Sequence, residues 1–115
     1  MSDETQAMPS LVPQSCTLPA ADQPLRLAEF DDWYATAVRS VNRLDRARLR
    51  LDLVPDAGVA ARTADLVVRE TGCCSFFTFT LTASGGTLAL EVAVPPAHVD
   101  VLDAVADRAA AGARS

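Results

Sequence analysis

Apolar residues recur along this chain in two different periods. Phe30, Trp33, Tyr34, Ala37, Val38, Val41 and Leu44 follow one another at three- and four-residue steps. That spacing makes one apolar stripe and predicts a helix over about 27–43. Asp31 and Asp32 then fall near its first turn, and Arg39 and Arg43 near its last, which suits the helix dipole. The period next changes to two. In "RLRLDLV", Leu49, Leu51 and Leu53 alternate with Arg48, Arg50 and Asp52, the pattern of a half-buried strand. Pro55 ends it, and Asp56 is placed to cap a second helix over about 57–72. Val59, Thr63, Leu66 and Val67 form that helix's stripe. Continued by threes and fours, the stripe reaches Glu70, Cys73 and Cys74, with Gly72 as a stop signal.

A hairpin follows. Phe77, Phe79 and Leu81 alternate with Thr78, Thr80 and Thr82, and "ASGG" at 83–86 is the turn. Leu88, Leu90, Val92 and Val94 make the return strand. Pro95 and Pro96 end it and open a last helix with Val99, Leu102, Val105, Ala106 and Ala109 inward and Gly112 past its end. The order α-β-α-β-β-α predicts an α+β two-layer domain. Its expected sheet is three-stranded, antiparallel and ordered 2-3-1, with helices on one face and a solvated face opposite. Its edge strands are able to pair in a homodimer.

The N-terminal quarter departs from this patterning. Pro9, Pro13, Pro19 and Pro24 fall within residues 1–24, which show little apolar periodicity. Residues 1–14 read as a disordered tail, and 15–24 as an arm carrying Cys16 onto a single domain over 15–112. The net charge of −5 argues against nucleic acid and anionic membrane surfaces as partners. No run approaches the ~18 apolar residues of a membrane span, and "MSDETQAMPS" lacks the basic and apolar regions of a signal peptide. A cytoplasmic location is therefore expected, where thiols stay reduced. Three cysteines do not suggest a disulfide framework.

Cys73 and Cys74 are the candidate chemistry. Thiolates are soft ligands for mercury(II), copper(I), zinc and similar ions. The chain has no Cys-x-x-Cys knuckle, and offers beyond three sulfurs only Glu70 and the sole histidine, His98, so a closed structural zinc site is disfavoured. Two or three thiolates suit mercury(II), arsenic(III) or copper(I), with Cys16 able to close the site. The bland alternative is that Cys73 and Cys74 are buried small hydrophobes. The end of a helix disfavours a thiolate nucleophile but favours a held cation. Glu70, on the inward stripe one turn earlier, needs a partner there: an arginine, a proton or a metal. Pairing with an arginine such as Arg69 is its bland reading. His98 reads as an exposed residue at a helix start.

The pattern Glu70-x-x-Cys73-Cys74-x-Phe76, with Cys16-Thr17-Leu18 upstream, resembles a family of small, largely uncharacterised bacterial proteins. The resemblance spans about residues 15–110. Such proteins are similar to ones encoded beside mercury-type regulators or fused to them. The resemblance implies soft-metal handling, with Cys16, Cys73, Cys74 and Glu70 as the residues carried over. Many relatives have a charged residue where this chain has Gly72.

These readings lead to a thiolate protein that binds a metal or metalloid ion, foremost mercury(II), in sequestration or resistance. Cys73, Cys74 and Cys16 are the expected ligands, with Glu70 behind them moving thiol protons. A metal-responsive regulator or a second copy is the expected macromolecular partner. Three alternatives stand beside it: organomercurial-lyase-like cleavage of a carbon–mercury bond, a thiol redox sensor, and an interaction module without chemistry.

Overall fold

A computed structural model describes residues 23–113 of the chain. The expected tail, and the expected arm up to Asp22 with Cys16, lie outside the described residues. The described residues form an α+β domain with three helices and one antiparallel sheet. Helix α1 (Gln23–Ala37) leads directly into strand β1 (Val38–Asp45), which turns into β2 (Arg48–Leu53). Helix α2 (Ala57–Cys73), the hairpin β3 (Thr78–Ser84) and β4 (Thr87–Ala93), a single 3-10 turn (Pro96–His98) and helix α3 (Val99–Ala113) complete it.

The sheet has four strands in the order β1-β2-β4-β3, not three in the order 2-3-1. The last strand does lie between its two expected neighbours. What was not foreseen is β1, which adds beyond β2 and is made from the last third of the expected 27–43 helix and the two residues after it. The helix instead starts at Gln23 and stops at Ala37. The physical reason lies in the ladder. Val41 faces Leu51 and Arg43 faces Leu49, but the register shifts between Val38 and Ser40 and again between Arg43 and Asp45. Two bulges thus break the period of two, and the surviving apolar positions mimic a helical stripe. The turn is held by Asp45, whose Oδ1 accepts the Ala47 N–H at 2.9 Å and whose Oδ2 accepts from Arg48 Nε at 2.9 Å. These two donors hold the Asp45 carboxyl below its usual range.

Several placements follow from the shorter helix. Asp31 and Asp32 sit in the middle of α1, not its first turn, and each meets an arginine from another helix: Arg108 and Arg62. Arg43 lies on a strand, where its Nη2 reaches Asp103 of α3 at 2.8 Å. On the opposite sheet face, Ser40 and Asn42 of β1 both donate to Asp52 Oδ2 on β2.

Leu49, Leu51 and Leu53 of β2 and Leu88, Leu90 and Val92 of β4 are buried on the helix-covered face. Trp33, Tyr34, Leu66, Phe77, Leu102 and Ala109 meet them in one cluster. The β3–β4 turn uses Gly85 and Gly86, both at positive φ (57° and 78°), as a two-residue hairpin of the right twist demands. Gly112 does not end the last helix. It lies inside α3, where an added Cβ would sit 2.6 Å from Tyr34 Cβ, so its missing side chain lets α3 cross α1 closely.

Candidate functional site: the cysteine end of helix α2

Helix α2 starts as its sequence predicts. Asp56 is the N-cap, and its Oδ2 accepts the Val59 N–H at 3.1 Å. The helix then runs past Gly72, because that glycine keeps a negative φ, and ends one residue later at Cys73. Cys74 is the C-cap, and its N–H bonds the Glu70 carbonyl at 2.7 Å. The chain turns through Ser75 and Phe76 and enters β3.

The inward stripe is as expected. Thr63 and Leu66 are buried, and Val59, Val67 and Glu70 are half-buried. Thr63 is a fully buried polar residue, at 0% exposure, and its Oγ1 accepts from Trp33 Nε1 at 2.8 Å. Glu70 Oε1 is shielded from solvent. The carboxylate stands close enough to Tyr34 to add to a shift set mainly by burial, which pushes the Tyr34 hydroxyl well above its ordinary value. Arg69, by contrast, belongs to the outside. It reaches Glu29 Oε2 at 2.6 Å and Asp65 Oδ2 at 2.9 Å.

Of the expected ligands, Cys74 is the one the structure places in full: its side chain is completely buried within the hydrophobic cluster. Cys73 is the last helical residue, and its side chain lies outside what is described, as does all of Cys16. Among the described residues, no group of three His, Cys, Asp or Glu side chains is placed to hold a metal ion. His98 is not exposed as expected. It is half-buried, with its imidazole stacked on Phe76 at 4.1 Å between ring centroids and 12° between planes. Phe76 in turn lies 4.6 Å from Phe77 and Phe77 5.2 Å from Phe79. This aromatic series borders the turn that follows Cys74. Sequence reasoning missed it because His98 and Phe76 lie 22 positions apart and no periodicity links them.

One further relationship orients α1 against α2. Arg69 meets Glu29, and Arg62 meets Asp32. The partners run in opposite order along α1 and α2, so the beginning of α1 lies toward the cysteine end of α2.

No protein-family model, curated protein or solved structure matches the chain. No helix among the described residues is long and apolar enough to cross a membrane.

Proposed function

We propose that this protein binds a soft thiophilic metal, foremost mercury(II), through Cys73, Cys74 and Cys16, and serves in metal sequestration or resistance. Arsenic(III) and copper(I) share the ligand chemistry. The observation that carries the reading is the solvent-shielded Glu70 carboxylate one turn before Cys74, at the end where Cys73 and Cys74 leave the helix. Cys16 precedes Gln23 by seven residues. At ~3.3–3.6 Å per extended residue those seven residues span at most about 25 Å.

The electrostatics support a held cation. The last carbonyls of α2 carry partial negative charge, and the Glu70 carboxylate stands one turn before Cys74 on the inward face. A thiol must lose its proton to ligate, and Glu70 is the nearby base that can take it. By the resemblance noted above, the same residues match a soft-metal context. Because Cys74 is buried, ligation through it requires the Ser75–Phe76 turn to open.

One observation favours a second reading. Cys74 is wholly buried among apolar side chains, as a packing residue would be, which fits an interaction module without thiol chemistry. Isothermal titration with mercury(II), arsenite and zinc separates the two. Tight binding of mercury(II), weaker binding of zinc, and loss of both in Cys73→Ser/Cys74→Ser support metal binding. Weak binding that is equal in the wild type and the double variant overturns it.

A further inference from the structure

The two edges of the sheet are built differently. Strand β1 has two register shifts and carries Arg39, Arg43 and Asp45, features that deter pairing with another strand. Strand β3, "TFTLTAS", has neither. Its register against β4 is unbroken from Thr78 to Ser84, and it holds no charge and no proline. Its outer row of backbone N–H and C=O groups is a ready template for a strand. Phe79 and Leu81, on its helix-covered side, are only half-buried.

Helix α2 continues this uncharged surface. Apart from the inward Glu70, its charged residues Arg62, Asp65 and Arg69 cluster on the side toward α1, where Asp32 meets Arg62, and Glu29 meets Arg69, which also reaches Asp65. The other flank borders β3, because Ala57 and Ala60 line one groove together with Ala83 and Ser84. On that flank and across its top, Ala57, Ala61, Ala64 and Val68 are all exposed, Val68 at 67%. Such an apolar stripe on a charged helix calls for a cover.

We propose that the β3 edge and this flank of α2 form the interface of a homodimer. In it, β3 pairs antiparallel with β3 of a second copy, extending the sheet to eight strands, and the two α2 helices pack across the two-fold axis. A second copy is the occupant that fits, because an isologous contact sets each patch against itself. Self-contact is repulsive on a charged surface of a chain carrying −5, and here β3 carries no charge and the α2 flank only Asp56, at its N-cap. Small residues on α2 let two helices approach closely above the joined strands, and Phe79 and Leu81 of both copies become covered.

Sedimentation velocity of the full chain across the micromolar range tests this. The expected species is a dimer of two 12.1 kDa chains. Val68→Arg/Thr80→Arg, which changes two exposed positions, is expected to sediment as a monomer with an unchanged circular-dichroism spectrum. Hydrogen exchange on the wild type gives a second readout independent of any variant: protection of the β3 amides that point away from β4 should fall on dilution. A wild type that stays monomeric throughout, or a dimer that the double variant does not weaken, overturns the proposal. So does protection of those outward amides in a monomer at every concentration, which would assign the cover to the chain's own residues 1–22.

Discussion

Trp33 Nε1 donates a hydrogen bond of 2.8 Å to Thr63 Oγ1, and both side chains are buried where α1 meets α2. This bond joins the two helices through the core, inside the surface ion pairs Arg62–Asp32 and Arg69–Glu29. Ion pairs of that exposure contribute little each. The buried bond matters more, because removing its acceptor strands an indole N–H away from water. Thr63→Val keeps the shape and removes the acceptor. It should cost about 1–3 kcal/mol in urea unfolding. Trp33 is the only tryptophan, so its fluorescence follows the transition directly. A loss no larger than that of a surface substitution would show the bond to be dispensable.

Gly112 sets how closely α3 crosses α1. A Cβ at this position would lie 2.6 Å from Tyr34 Cβ and 3.0 Å from the Tyr34 carbonyl carbon, and the backbone cannot turn aside as a flexible side chain would. Gly112→Ala should therefore destabilise by about 1–3 kcal/mol, although alanine is the better helix former. A thermal melt that rises for this variant would mean that the crossing is looser than described.

Tyr34 makes the protein sensitive to alkali. Burial raises its hydroxyl pKa in the folded state above the ordinary value near 10, with Arg108 opposing and Asp31 and Glu70 assisting the rise. Below pH 10 the hydroxyl is protonated in both states and its contribution to stability is complete. Above that pH the unfolded chain ionises first, so stability falls as pH climbs toward the folded pKa. As the only tyrosine, it gives a clean signal. Tyrosinate absorbance should appear only together with unfolding, and Tyr34→Phe should flatten the alkaline loss. A tyrosinate titration near pH 10 in folded protein would contradict this.

Most of the fold is legible in the chain, and the failures have local causes. Strand β2, the β3–β4 hairpin and the Asp56 cap follow from alternation, Gly85-Gly86 and a capping aspartate, all strong short-range signals. Strand β1 was hidden because its two bulges convert a period of two into steps of three that continue α1's stripe. The signal that would have revealed it is the short segment "LDRAR", where Asp45 closes a turn ahead of the alternating strand. Gly112 was misread because a glycine that ends a helix and one that admits a neighbour look the same in sequence. At the cysteine end, Glu70 and Cys74 leave the inward stripe as periodicity indicates. The Phe76–His98 stack and the approach of α1 depend on tertiary contacts that no local pattern encodes.

The central claim is that Cys73 and Cys74, joined by Cys16, hold a soft metal. The most direct measurement is competition for mercury(II) between the full chain and glutathione, followed by sulfur-to-mercury charge-transfer absorption. The account predicts that the wild type takes the ion from glutathione, that Cys16→Ser holds it less tightly, and that Cys73→Ser/Cys74→Ser fails to take it. Equal transfer to all three proteins, or none to the wild type, would contradict it.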